Sequence, residues 1–310
     1  MNKRDTMLSL VHGPTSPEYI PAAFFLHFDK AYHRGQAAIE KHLEFFHATG
    51  MDFVKIQYEQ QFPPSTPIRK PEDWAYAPLC SEEFFEETIQ VVEGLVKAAK
   101  SDALVIMTLY SPFMWAAHLG DITAHLQEDP EAAKKGLEIM TENVVRLVRG
   151  CKRVGVDGFY ASSQGGEAFR FQNPSIFQEY IKPTDLAVWE ELSPCSLNIL
   201  HICDYERGYN DLKPFLDYPG HVVNGSLKAG DRTLSPKDLS QMFGRPFLGG
   251  MERKGILATG NSEAIHQSAT EVLAQAPERF ILAADCTVPS DTPWENLKTA
   301  IETAHQYRKQ

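Results

Sequence analysis

No stretch of about 18 apolar residues occurs anywhere in this 310-residue chain, which leaves no candidate for a membrane-spanning helix. Clusters of Lys and Arg are missing as well. With 30 basic against 41 acidic residues the net charge is -11, the wrong sign for a phosphate backbone or an anionic membrane surface. The opening Met1-Asn2-Lys3-Arg4-Asp5 leads into a short amphipathic segment, not the apolar core of an export signal. Cysteine is scarce and scattered: Cys80, Cys151, Cys195, Cys203 and Cys286 are odd in number and none is close to another. A secreted disulfide framework is therefore disfavoured, and a cytoplasmic location is expected. Neither GxGxxG after the first apolar run nor GxxxxGK[ST] is present, so dinucleotide and P-loop folds lack support.

What the chain does have is apolar residue in quantity, 43% against 23% charged, enough for a sizeable core. Extended and helical patterns alternate from end to end. The extended candidates are Ile20–Phe28, Phe53–Gln57, Leu104–Tyr110, Gly158–Ser162, Leu197–Cys203, His221–Asn224, Pro246–Gly250 and Phe280–Cys286. Between them lie helices with recognisable starts and stops. Ser81 precedes Phe85, Ile89, Val92 and Val96 at helical spacing, and Asp129-Pro130 opens a helix that Gly150 is expected to close. Asn173-Pro174 starts one that Pro183 should interrupt, and Thr292-Pro293-Trp294-Glu295 reads as a capping box. Eight strands alternating with helices, without a linker or a break in composition, predict an α/β fold. The expected form is a (β/α)8 TIM barrel with a short N-terminal helical extension, one domain over residues 1–310.

In such a barrel the carboxyl ends of the strands form the active face. Ser196-Leu197-Asn198-Ile199-Leu200-His201-Ile202-Cys203 reads as a buried strand leaving its core, and alternation points His201 and Cys203 to one side. Phe280-Ile281-Leu282-Ala283-Ala284-Asp285-Cys286 is built alike. One imidazole and two thiolates at the ends of the fifth and eighth strands make a three-ligand zinc set, with a fourth tetrahedral position left for a substrate. Cys203 and Cys286 are too far apart in sequence for a compact zinc finger.

These blocks carry a resemblance. Arg4-Asp5-Thr6-Met7-Leu8-Ser9-Leu10-Val11-His12-Gly13 with Ile20-Pro21, Gly50-Met51-Asp52-Phe53-Val54-Lys55 and Gly155-Val156-Asp157-Gly158-Phe159 are similar to the uroporphyrinogen decarboxylase superfamily. Leu200-His201-Ile202-Cys203, and Asp285-Cys286-Thr287-Val288-Pro289 with Thr292-Pro293-Trp294-Glu295-Asn296-Leu297, resemble its zinc-dependent, corrinoid-linked methyltransferase branch, the methylcobalamin:coenzyme M type. The resemblance implies a barrel whose Zn2+ binds a small-molecule thiol acceptor, with a corrinoid or another methyl donor supplying the methyl group. A separate corrinoid protein or a free corrinoid cofactor is implied too, because this chain has no D-x-H-x-x-G cobalamin signature. The chain departs from that pattern at Asp204, where the family usually has glycine after H-x-C. In place of the arginine-rich segment of true uroporphyrinogen decarboxylases it has Leu26-His27-Phe28-Asp29-Lys30-Ala31-Tyr32-His33-Arg34, and in place of an acidic Asp it has Gln57-Tyr58-Glu59.

Three further residues are candidates for catalysis. Glu167 is the first choice for a fourth metal ligand, ahead of Asn224 and Glu252, or is a solvated loop carboxylate. His27 ends the first strand and either touches substrate or is a hydrogen-bonded structural histidine. Tyr110 ends the third, before Ser111-Pro112-Phe113-Met114-Trp115, and belongs either to a surface for a flat ligand or to the core. Gln60–Ala77 and Gly165–Asn173 are the longest stretches without periodicity, where function is expected on loops. Two other functions stay open at this point: a decarboxylase-like lyase acting on a smaller carboxylic acid, and a non-catalytic corrinoid- or tetrapyrrole-binding protein.

Overall fold

The protein is described by a computed structural model at residues 2–13, 17–57, 62, 67–167 and 169–308. Among them the apolar runs form β1 (Phe53–Ile56), β2 (Leu104–Tyr110), β3 (Gly158–Ser163), β4 (Leu197–Ile202) and β5 (Val222–Gly225). They are followed by β6 (Lys228–Ala229), β7 (Arg232–Thr233), β8 (Phe247–Met251) and β9 (Phe280–Ala284). Seven of these strands make one curled sheet in the order β1-β2-β3-β4-β5-β8-β9, with all neighbours parallel. Parallel neighbours need a crossover between them, and the intervening helices cover the outer face. This is why β2 and β4 are apolar and buried along almost their whole length. β6 and β7 form a small antiparallel hairpin apart from the sheet.

The first expected strand, Ile20–Phe28, is present as extended chain that pairs by isolated bridges. Ala22 bridges Leu282 and Leu26 bridges Val288, both parallel. On the other side the Asp52 amide donates to the Ala22 carbonyl at 3.0 Å, and Gln57 Nε2 donates to the Leu26 carbonyl at 2.6 Å. The segment thus sits between β9 and β1 and brings the two edges of the curled sheet together. With it, eight extended segments surround the barrel, as the alternation of patterns predicts.

The N-terminal helix, Lys3–His12, lies across the opposite end from the strands' carboxyl termini. Lys3 Nζ donates to the carbonyls of Gly50 and Met51, both at 2.6 Å, and the Arg4 amide to that of Asp102 at 2.7 Å. His12 Nε2 is 2.9 Å from the Ser196 carbonyl, and Arg279 Nε donates to the Leu10 carbonyl at 2.7 Å. All these partners immediately precede strands. Met7 and Leu10 are buried beneath them, so the helix plugs the bottom of the barrel.

Three expected helix boundaries are corrected. Gly150 does not end its helix, which runs Pro130–Arg153. A Cβ at this position would meet the end of the Ile89 side chain on the neighbouring helix, which would have to shift. Pro183 does not interrupt its helix either. A π-helical turn at Phe177–Ile181 passes directly into Lys182–Leu192, so the proline falls in a first turn, where its missing N–H does no harm. The capping box at Thr292 does not form. Pro293 is the cap of Trp294–Gln306, and Thr292 Oγ1 is buried with no partner among the described residues. Part of Gln60–Ala77 lies outside the described residues. Within it Pro71–Tyr76 is a 3₁₀ turn whose Trp74 is fully buried and donates to His125 Nδ1 at 3.0 Å.

One core carboxylate stands out. Asp185 is buried, its Oδ2 accepts from the Ser163 hydroxyl and from Tyr218 Oη at 2.9 Å, and its Oδ1 has no partner among the described residues. Burial pushes its pKa from 3.8 to about 7, against the two hydrogen bonds. From about pH 4 to about pH 7 the unfolded chain is ionised here while the folded chain keeps its proton, so this group's contribution falls as pH rises and levels off above pH 7. Asp185→Asn keeps an acceptor for both hydroxyls and removes the charge. Urea titrations are expected to show the variant gaining on the wild type between pH 5 and pH 8, by on the order of 3 kcal/mol. Parallel stability profiles for the two proteins would contradict this.

Candidate metal centre

Alternation along β4 places Leu200 and Ile202 outward and turns His201 and Cys203 toward the barrel axis at its carboxyl end. Cys286 enters from beyond the end of β9. Ligand atoms of His201, Cys203 and Cys286 lie within 4.8 Å of one another, and all three residues are buried. His201 Nε2 is 3.4 Å from Cys286 Sγ. Zn–N bonds of about 2.0–2.1 Å and Zn–S bonds of about 2.3 Å at a tetrahedral angle require N···S of about 3.5 Å. The His201–Cys286 spacing matches that of two donors sharing one ion. No further His, Cys, Asp or Glu completes this group among the described residues.

The surroundings hold each donor in place. The His201 ring stacks on Tyr160, with centroids 4.8 Å apart and planes at 29°. Its Nδ1 is buried without a partner among the described residues, so stacking sets the ring plane where a hydrogen bond more often does. Burial pushes the Tyr160 phenol well above its usual range, and the protonated hydroxyl donates to Asn224 Oδ1. Gln164 Nε2 donates to Cys203 Sγ at 3.3 Å, and the Cys203 amide donates to the Ser163 carbonyl at 3.0 Å. The hydrogen bond from Cys286 holds the Cys203 thiol well below the usual range, with His201 adding to it against burial. Cys286 is pushed up correspondingly.

These residues open onto a cavity of about 360 Å³. Its walls come from strand ends around the barrel: His27, Gln57, Thr108, Tyr110, Ser162 and Gln164, besides the three donors. Lys55 reaches in from β1 with its ammonium over the Phe25 and Tyr160 rings, 4.6 and 4.7 Å from their centroids, and donates to Gln57 Oε1 at 2.6 Å. Tyr205 and Glu206 stand at the mouth, where Tyr205 is 67% exposed.

The structure thus brings together His201, Cys203 and Cys286 and puts His27 and Tyr110 in the cavity wall. It does not bring Glu167 to the donors. That carboxylate is buried in an ion pair with Arg170, and its Oε2 also accepts from the Gly165 amide at 2.6 Å. Gly165 has φ +101°, a conformation suited to glycine, so Glu167 and Gly165 together shape the loop beyond β3. Asn224 is occupied as well, since its Nδ2 donates to the carbonyls of Leu248 and Ala284 while its Oδ1 takes the tyrosine proton. Glu252 pairs with Lys228 at the surface. Asp204 turns away from the donors toward Arg253. Tyr58 and Glu59 lie outside the described residues. Gln164, Tyr160 and His118 belong to the site yet carry no sequence signal of it, because only the fold sets them around the donors.

The uroporphyrinogen decarboxylase (URO-D) family model matches residues 41–307. The chain belongs to the uroporphyrinogen decarboxylase family. Among solved structures, a methyltransferase from Methanosarcina mazei shares the fold at 16% identity, with a TM-score of 0.79 and coverage of 98% of both chains. A B12-independent methionine synthase from Shewanella, solved with selenomethionine, matches at 11% identity and a TM-score of 0.57, covering 93% of this chain and 97% of that one. A putative vitamin-B12-independent methionine synthase from Listeria monocytogenes matches at 14% and 0.56, covering 94% and 98%. At these identities they speak for the fold alone. No curated protein matches the chain. No helix among the described residues is long and apolar enough to cross a membrane.

Proposed function

We propose that this URO-D family barrel is a zinc-dependent methyltransferase that moves a methyl group from a corrinoid, or another methyl donor, to a small-molecule thiol. The observation that carries this reading is the His201, Cys203 and Cys286 set, spaced for one ion and opening onto the cavity at the active face. Zinc in such a set acidifies a thiol at its open position, so that a thiolate is available near neutral pH. The residues of the chain do the rest. Gln164 and Tyr160 fix Cys203 and His201, so the donors do not reorganise when a thiol arrives. His27 and Tyr110 line the approach and orient the acceptor. In the transfer the acceptor sulfur forms a bond to the methyl carbon, and the carbon's bond to its donor breaks with the electron pair leaving on the donor.

Support for methyl transfer also comes from the names of the structural neighbours, a methyltransferase and two methionine synthases. The family's name favours a second reading, a lyase acting on a carboxylic acid. Against it, the position after β1 holds an amide, Gln57, already bonded to Lys55 and to the Leu26 carbonyl. The test is to incubate the zinc-loaded protein with methylcobalamin, or with methylated small molecules as alternative donors, and a panel of small thiols, and to measure methyl thioether by mass spectrometry. Turnover that disappears when the metal is stripped and returns with zinc is expected. Thioether formation unaffected by stripping, or none with any thiol, would overturn the proposal.

A further inference from the structure

The two thiols of the centre stand on different loops, and each is followed or preceded by an aspartate: Cys203 by Asp204, and Cys286 by Asp285 before it. Both aspartates meet one guanidinium, that of Arg253, which leaves the end of β8. Arg253 Nη1 donates to Asp204 Oδ1 and to Asp285 Oδ2, each at 2.8 Å. The arginine's own amide donates to Asp285 Oδ1 at 2.7 Å, and the same oxygen takes the Cys286 amide at 3.1 Å. The Asp285 amide in turn donates to the Met251 carbonyl at 3.0 Å. All three side chains are largely out of solvent, at 11% exposure for Arg253, 14% for Asp204 and 15% for Asp285. Charge pairs at this depth are screened far less than surface ones.

From this geometry we infer that Arg253 is a positioning residue, a clamp across the loops after β4, β8 and β9 that sets the distance between the Cys203 and Cys286 sulfurs. Without its cation, Asp204 and Asp285 are two like charges facing a common partly buried gap. Their repulsion acts directly on the backbone of the residues next to the thiols. Lysine is a poor substitute. Its ammonium sits on a flexible stem, whereas both carboxylates here are held by one nitrogen, Nη1, of a planar guanidinium whose N–H directions are fixed. The same arrangement gives Asp204 a reason to stand after H-x-C: it supplies the clamp's second anchor, which a glycine would lack.

The inference rests in part on the proposed metal centre, so its test has a metal-free arm. In wild-type protein and in Arg253→Met and Arg253→Lys, zinc affinity is measured by competition with a chromophoric chelator, and the geometry is read from the visible spectrum of the cobalt(II) form. Arg253→Met is expected to bind zinc 10- to 100-fold more weakly, on the order of outer-shell changes at metal sites, with an altered cobalt spectrum. Arg253→Lys should fall between the two. Adding Asp204→Asn to Arg253→Met should restore part of the affinity by removing the repulsion, an effect that general loss of stability would not produce. In the metal-free arm, diamide oxidises apo protein and the Cys203–Cys286 disulfide is followed by peptide mass spectrometry. Loss of the clamp should slow its formation by about tenfold or more, because the reacting sulfurs are no longer held together. Equal zinc affinity, equal spectra and equal disulfide rates in wild type and Arg253→Met would overturn the clamp while leaving the centre intact. A wild-type protein that takes up no zinc would instead defeat the function proposed above, and the disulfide rates would still decide the clamp.

Discussion

Cys203→Ser is expected to lower methyl transfer by about a thousandfold or more with the fold intact. A metal acting on its bound nucleophile supplies several kcal/mol, and about 4 kcal/mol corresponds to a thousandfold in rate. Serine occupies nearly the same volume at this buried position, so far-ultraviolet circular dichroism and the thermal midpoint should change little. What changes is the donor. A serine hydroxyl stays protonated where a cysteine thiol can ionise to bind a metal, and the Gln164 amide keeps an acceptor, but a weaker one. Cys286→Ser should behave alike. The double variant should be little worse than either single one, because the donors act as a unit. A rate within about tenfold of wild type in either single variant would remove the thiols from the chemistry, since a lost metal costs more than that.

The largest expected effect on stability lies at the other end of the barrel. Asp157 is buried just before β3 and receives a two-pronged Arg4, with Nη1 to Oδ2 at 2.9 Å and Nη2 to Oδ1 at 2.8 Å. The Val105 amide donates to Oδ2 at 2.9 Å, and Lys100 Nζ lies 3.4 Å from Oδ1. Its backbone ties the neighbouring strands, donating to the Val105 carbonyl and accepting from the Ser196 and Leu197 amides. Asp157→Ala leaves the Val105 amide unmet and the Arg4 guanidinium without its counter-charge, and lifts the N-terminal plug. A loss of about 3–5 kcal/mol in denaturant unfolding is expected, the range for removing one partner of a buried ion pair. Arg4→Ala should cost less, since Arg4 is partly exposed and Lys100 remains near the carboxylate. A loss below about 1 kcal/mol for Asp157→Ala would show that the plug contributes no more than a surface salt bridge.

How far the sequence discloses this molecule depends on whether the relevant force is local. β2 and β4 are legible because a strand buried on both faces must be mostly apolar, and His201 with Cys203 because alternation alone places them on one side. Cys286 is legible from its position after a second such run. Ile20–Phe28 is read as an ordinary strand, but its pairing is reduced to bridges at the seam of the barrel, where the partners are 30 and 260 residues away. Gly150 and Pro183 mislead for a related reason. Their local preference is to end a helix, and a neighbour's packing or a π-turn overrides it. Glu167 looks available in sequence because nothing there announces that Arg170 folds back over it. Arg253 is silent altogether: its partners come from two other loops, and no spacing along the chain encodes their meeting.

The central claim is that the nitrogen of His201 and the sulfurs of Cys203 and Cys286 share one ion. It is tested most directly by metal analysis of the purified protein with X-ray absorption at the zinc edge. The account predicts one zinc per chain in a shell of one nitrogen at about 2.0–2.1 Å and two sulfurs at about 2.3 Å, with a third sulfur on adding an acceptor thiol. A protein that holds no stoichiometric zinc and takes none up, or one whose zinc shell contains no sulfur, would contradict it.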